Sequence, residues 1–258
     1  MTRVRSVEPG DRAALVAIAA AVDETGPVSA SDPRYVEHLQ RHGRFLVAVD
    51  SRNEPVGFGG AVPRRGAWFL TDLFVAPQHR GGGHGGALLR QLWSGSTDRV
   101  TSSSQDPRAL ASYARAGARP RWPLVYLHVP GSAEQLPEAD PEGTGGPGAD
   151  IGWDYPHAGE LVLRVGGAVA VADREPEGVV VRRALTPEPS DLVGLVRRTA
   201  SMAGPTGRVR IVVPGPHPAL PDLLGLGAHI TDVDLWCATD GAAQQWDPSH
   251  ELPHAGLG

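Results

Sequence analysis

Apolar positions along the chain fall into two similar series of helix-like and strand-like periods. Leu15, Ile18 and Val22 recur at helical spacing behind Asp11, and Asp32-Pro33 opens a second, shorter helix with an N-cap followed by proline at its first position. Phe45–Val49 and Val56–Gly60, joined by a polar turn around Asn53, predict a hairpin, and a third strand follows from Trp68 to Val75. A glycine-rich stretch then runs into a helical pattern through Leu88, Leu89, Leu92 and Trp93. Val100–Ser103 predicts a short strand, Asp106-Pro107 a helix that Gly117 can end in a left-handed cap, and Leu124–Val129 a last strand.

Residues 131–150 are rich in Pro, Gly, Glu and Asp without periodicity, which predicts an exposed linker. Beyond it the order returns. A hairpin turns at Gly166-Gly167, Val179–Val181 gives a strand, and a helix carries Leu192, Leu195 and Val196. Strand Val209–Val213, a helix around Leu220, Leu223 and Leu224, and a strand ending Leu235-Trp236-Cys237 complete the set. The segment from Asp106-Pro107 to Ala116-Gly117-Ala118 is echoed by Pro216-His217-Pro218-Ala219-Leu220 to Leu226-Gly227-Ala228, so the chain reads as an internal repeat.

Composition narrows the chemistry. A formal charge of −5 argues against a broad phosphate-neutralising surface for nucleic acid and mildly favours a cationic or amine-bearing substrate. All 24 basic Lys/Arg positions are arginine. Cys237 is the single cysteine, so neither an intrachain disulfide nor a cysteine-rich metal site can form. No apolar run reaches the roughly 20 residues of a membrane-spanning helix, and the start of the chain lacks a secretory pattern, so a cytoplasmic protein is expected.

Candidate chemistry concentrates in Arg80-Gly81-Gly82-Gly83-His84-Gly85-Gly86, between the strand ending at Val75 and the helix containing Leu88. Missing side chains let several N–H groups converge on one anion, and the following helix presents its positive end to the same point. A nucleotide-triphosphate loop is excluded, because Gly85-Gly86-Ala87 supplies no Gly-Lys-Ser/Thr. A dinucleotide fingerprint can be traced through Gly81, Gly83 and Gly86, but it belongs after the first strand of a domain, whereas this loop follows three. A glycine-rich surface turn is the remaining alternative.

The segment from Leu73 to Leu89 resembles the GNAT superfamily of N-acetyltransferases: Arg80, Gly83 and Gly85 stand at its Gln/Arg-x-x-Gly-x-Gly/Ala positions. Asp106 to Gly117 also looks like the family's Asn-x-x-Ala-x-x-x-Tyr…Gly-Phe helix, with Asp106 for Asn, Ala118 for Phe and Tyr113 retained. The resemblance implies an α/β (α+β) fold, a mixed but mostly antiparallel sheet flanked by helices, here in two tandem halves. Residues 1–130 would form the acetyltransferase domain, 131–150 a linker, 151–240 a degenerate repeat without the cofactor loop, and 241–258 a polar tail.

It further implies acetyl-CoA as cosubstrate, no metal, and a small-molecule or peptide amine as acceptor, with no nucleic-acid or membrane partner and a homodimer left open. Residues Arg80, Gly81, Gly82, Gly83, His84, Gly85 and Gly86 would hold the pyrophosphate, with His79 and His84 as loop or adenosine-side residues. The main chain of Phe74 or Val75 would meet the pantetheine and the acetyl carbonyl, and Asp106 and Tyr113 would complete the cofactor contacts. Tyr113 would protonate the departing thiolate. Asp72, beside Thr71 and Leu73, is the candidate base, though it also fits an ordinary strand carboxylate.

In the second half, Leu185-Thr186-Pro187-Glu188-Pro189-Ser190 replaces the glycines, removing amide donors and adding a repelling charge. That half is expected to bind no coenzyme A. Trp153-Asp154-Tyr155-Pro156-His157 reads either as an acceptor-side lid for a cationic amine or as linker packing. An acetyl-CoA sensor without turnover is the rival function.

Overall fold

The computed structural model describes residues 2–22, 29–134, 136 and 160–254. Most of the expected 131–150 linker lies outside these residues, and the 153–157 segment entirely so. The first half runs β1 (Arg3–Ser6), α1 (Arg12–Ala20), α2 (Pro33–His42), β2 (Arg44–Val49), β3 (Pro55–Arg64), β4 (Ala67–Val75), α3 (His84–Leu92), β5 (Arg99–Ser103), α4 (Pro107–Arg115) and β6 (Arg119–Pro130). The second half repeats the order from β2 onward. Its elements are β7 (Glu160–Val165), β8 (Ala168–Glu175), β9 (Gly178–Leu185), α5 (Pro189–Ala203), β10 (Arg208–Pro214), α6 (Leu220–Gly225) and β11 (His229–Ala238), with α7 (Asp240–Ala243) and β12 (Glu251–Leu252) added at the end.

All described strands join one sheet in the order β1-β2-β3-β4-β5-β11-β6-β10-β9-β8-β7, with β12 on β9. Only β4–β5 and β9–β10 are parallel. The halves exchange their last strands: β11 of the second half pairs with β5 of the first, β6 pairs with β10, and β6 and β11 pair with each other at the centre. Strand β1, which the pattern does not predict, pairs with β2 and is tied to α1 by Arg5, which donates to both carboxylate oxygens of Asp11 at 2.7 and 2.8 Å.

Close packing explains the glycines of β3. A Cβ at Gly59 would stand 2.7 Å from Leu92 Cδ1 of α3, and one at Gly60 would stand 2.7 Å from Leu39 Cδ1 of α2, so helices press on both faces of a bare strand. Leu15, Ile18, Tyr35 and Leu39 of α1 and α2 share one cluster with Phe58 and Phe69. Leu88, Leu89, Leu92 and Tyr113 of α3 and α4 share the opposite one with Ala48 and Leu70. Arg44 fixes the far end of α3 by donating from Nη1 to the carbonyls of Gln91, Leu92 and Ser94 at 2.8–3.0 Å, with its guanidinium 4.0 Å over Trp68.

Residues 241–254 are not a free tail. Trp246 is buried against Trp236, ring centroids 5.0 Å apart, and β12 extends β9. The segment covers the face of the second half opposite α5, where no counterparts of α1 and α2 stand among the described residues. Cys237 is buried in β11; burial pushes its thiol up to about 11, so it stays protonated and packs as a small apolar group.

Candidate active site

Strands β4 and β5 pair only through Trp68–Leu70 against Arg99–Thr101. Beyond that they part, leaving a gap in the sheet at the ends that lead into the glycine loop. The departure coincides with a bulge: Gly60 faces Asp72 and Ala61 faces Leu70, so Thr71 is the extra residue. The bulge aims Asp72 at α2. There the Tyr35 hydroxyl donates to Asp72 Oδ2, and the Thr71 hydroxyl donates to the same oxygen at 3.0 Å. Asp72 and Tyr35 are both buried, at 8% and 6% exposure.

The register also shows which amides can serve a ligand. Ala76 N–H donates to Val56 O at 2.9 Å, and Phe74 lies opposite Phe58. By the alternation of an antiparallel ladder, Phe74 turns its N–H and C=O to β3, while Leu73 and Val75 turn theirs to the gap. Phe74 is therefore corrected as an amide donor; Val75 keeps the expected orientation, and Leu73 takes the second place.

After Val75 a short 3-10 turn (Pro77–His79) leads into the loop. Gly81 and Gly83 hold left-handed φ values of +84° and +80°, which side-chain-bearing residues rarely adopt. The first α3 hydrogen bond is Ala87 N–H to Gly83 O, and the N–H groups of residues 81–86 have no acceptor among the described residues. Six consecutive main-chain donors are thus left unengaged in the loop and the first turn of α3, at the positive end of that helix. A Cβ at Gly85 would meet only Val75 Cγ2, at 3.6 Å, and one at Gly86 only Arg90 Nη1, also at 3.6 Å. The protein's own packing therefore does not require glycine there, whereas an approaching phosphate would. Arg90 brings its guanidinium back over this end of the helix, a neighbour that the loop motif alone does not reveal. His84 Nδ1 lies 3.2 Å from Thr2 Oγ1, His79 and His84 meet edge to face, and the exposed Arg80 donates from Nε to Val75 O.

Tyr113 projects from α4 into the cluster beneath the gap, its ring 5.9 Å from Trp93. Burial pushes its phenol well above the usual value, with the charges of Asp106 and Asp72 adding to the effect. Asp106 has other work. It caps α4 by accepting from Arg108 N–H at 2.8 Å and pairs with the Arg108 guanidinium, which holds its carboxyl down at about 2.

In the second half, β9 and β10 again pair over three residues and part, but the loop position is filled by the protein itself. Asp191 accepts from Gly167 N–H at 2.9 Å and from Glu188 N–H at 3.1 Å, and the Glu188 carboxylate accepts from the first turn of α5. Two carboxylates stand where the first half bares its amides.

Residues 41–117 match the family model of the acetyltransferase (GNAT) domain. The matched stretch runs from the end of α2 to the end of α4 and includes the glycine loop, so the GNAT likeness covers the candidate site. The match ends at Gly117, just before β6 leaves for the other half of the sheet. Among solved structures, the chain is similar to an acetyltransferase from Pyrococcus horikoshii, at 13% identity and TM-score 0.66, covering 99% of this chain and 94% of that one. It is similar to a GCN5-related N-acetyltransferase from Sphaerobacter thermophilus at 15% identity and TM-score 0.59, covering 92% and 95%. A tandem GNAT protein from the clavulanic acid biosynthesis pathway matches at 15% identity and TM-score 0.54 over 93% and 98%. No curated protein sequence matches. The two-half fold of this chain is thus similar to that of a solved tandem GNAT protein.

Proposed function

We propose that the GNAT domain of the first half transfers an acetyl group from acetyl-CoA to a primary amine by direct attack on the thioester. The observation that carries this reading is the set of unengaged amides at residues 81–86 beside the β4–β5 gap. Hydrogen bonds to charged groups contribute about 1.5–3 kcal/mol each, so three or four of these amides suffice to anchor a pyrophosphate, with Arg80 and Arg90 at its edge. The Leu73 and Val75 main chains, turned into the gap, fit an extended amide-bearing arm and an amide donor to the carbonyl oxygen under attack.

An alkyl amine must lose a proton before it attacks, at a cost of about 4.6 kcal/mol at pH 7 for a pKa near 10.4. We assign that proton to Asp72, the carboxylate beside the gap, which takes it directly or through one water. The leaving thiolate needs a proton, and Tyr113, kept protonated by burial, is the donor that the family resemblance suggests. The second half, with its own carboxylates at the corresponding helix end, holds no cofactor. The test is release of free thiol from acetyl-CoA with a panel of primary amines. Turnover on an amine, lost in Asp72→Asn, supports the reading; acetyl-CoA binding without turnover on any amine would favour a sensor instead.

A further inference from the structure

We propose that the gap between β9 and β10 in the second half is a binding site for a small molecule bearing a carboxylate, held by Arg182 and Arg210. The two strands pair only through Gly178–Val180 against Arg208–Arg210 and part beyond, and a cavity of about 260 Å³ lies where they part. Val180 and Arg182 of β9, Arg210 and Val212 of β10, and His128 of β6 line it. Val181 and Ile211, which alternate with them, pack in the cluster beneath α5, so the polar side chains stand on the opposite face of the sheet. The volume lies below the roughly 300–1,000 Å³ of sites for drug-sized ligands, which suits a small metabolite rather than a nucleotide-bearing cofactor.

Charge in the lining has one sign. Arg182 and Arg210 are cations, and no carboxylate among the described residues lines the cavity. Their counter-ions stand on β8, across β9 from β10. Asp173 accepts from Arg182 Nε at 2.8 Å, and Glu175 bridges the two guanidiniums, accepting from Arg182 Nη2 at 3.0 Å and from Arg210 Nη2. This clamp orients both forks while Nη1 of Arg182 and Nε and Nη1 of Arg210 keep donors without an acceptor among the described residues. Burial, and after it the charges of Arg208 and Arg210, lower the pKa of His128 from its usual 6.5, so its ring is neutral at pH 7 and offers a hydrogen bond without adding charge.

Such a lining favours an oxyanion, because a guanidinium fork pairs with a planar carboxylate through two parallel hydrogen bonds and orients it. Two guanidiniums already shared with two carboxylates favour a singly charged carboxylate over a dianionic phosphate. Val180 and Val212 offer apolar wall to the rest of the molecule. Asp191 and Glu188, which would repel a pyrophosphate at the head of α5, do not line this cavity, so a smaller ligand avoids contact with them.

The experiment titrates acetate, butyrate, lactate and benzoate into the full chain by calorimetry, each beside its neutral amide, with phenyl phosphate as the dianionic comparison. At least one carboxylate is expected to bind, about tenfold or more tighter than its amide, the ratio that one charge-assisted hydrogen bond gives. Arg210→Met is expected to weaken that binding by about tenfold or more, and Arg210→Lys to restore part of it. Gly85→Glu, which blocks the loop amides of the first half, is expected to leave it unchanged. Circular dichroism melting of each variant separates misfolding from lost binding. The inference is overturned if no carboxylate is preferred over its amide, or if phenyl phosphate binds more tightly than benzoate. It is also overturned if the preference survives Arg210→Met in a folded protein or disappears in Gly85→Glu. No acetyl-CoA is present, so these outcomes do not depend on acetyl transfer by the first half.

Discussion

Tyr35 on α2 donates its hydroxyl to Asp72 on β4, joining a helix that precedes the sheet to the carboxylate at the mouth of the gap. With Thr71 on the same oxygen, the carboxylate is held in one orientation. General-base catalysis contributes typically 10²–10⁴-fold, so Asp72→Asn is expected to lower kcat for an alkyl amine by at least about a hundredfold while leaving acetyl-CoA affinity within about twofold. Steady-state kinetics and calorimetry on the same preparation check both halves of the expectation. Equal kcat in the variant would reassign Asp72 to structure.

Gly85 separates folding from binding. A Cβ there makes only ordinary contact, and an acidic side chain in the first turn of a helix is favourable by about 0.3–1 kcal/mol. Gly85→Glu is therefore expected to keep or slightly raise Tm and to abolish acetyl-CoA binding by charge and bulk. A variant that melts earlier or binds normally would show that the loop amides have a different role.

Arg44 closes the carbonyl end of α3, and its replacement by methionine removes the hydrogen bonds and the stacking on Trp68. A loss of about 1–2 kcal/mol is expected in urea unfolding, given typical values for charged hydrogen bonds. An unchanged midpoint would place the end of α3 under other control.

His217 gives the fold a pH dependence. It is buried at 1% exposure, and its Nδ1 accepts from Ala219 N–H, so the ring proton sits on Nε2 and donates to Thr186 Oγ1, whose hydroxyl in turn donates to His250 O. Burial lowers its pKa from 6.5 to about 4. The unfolded chain therefore binds the extra proton first, so this contribution is fully present above pH 6.5 and is lost as pH falls towards 4. It amounts to on the order of 3 kcal/mol. Urea unfolding at pH 7 and pH 5 should show a steeper decline than in His217→Gln, and equal declines would contradict it.

Much of this architecture was legible in the sequence because each element carries its own period and punctuation. Asp32-Pro33 and Asp106-Pro107 open helices with the carboxylate on the second residue's N–H, as read. Strand β1 escaped because Val4 is the only apolar residue among its four. The strand exchange escaped for a deeper reason: β6 and β11 have similar patterns, and either satisfies the open edge of β5, so only three-dimensional packing decides. The choice of Leu73 over Phe74 depends on the bulge at Thr71, and the hydrogen bond from Tyr35 to Asp72 depends on long-range approach; no local spacing encodes either.

The central claim is one cofactor gripped by bare amides in the first half and none in the second. Calorimetric titration of acetyl-CoA into the full chain tests it most directly. One site per chain, lost in Gly85→Glu, is the expected result. No heat, or two equivalent sites per chain, would contradict the account.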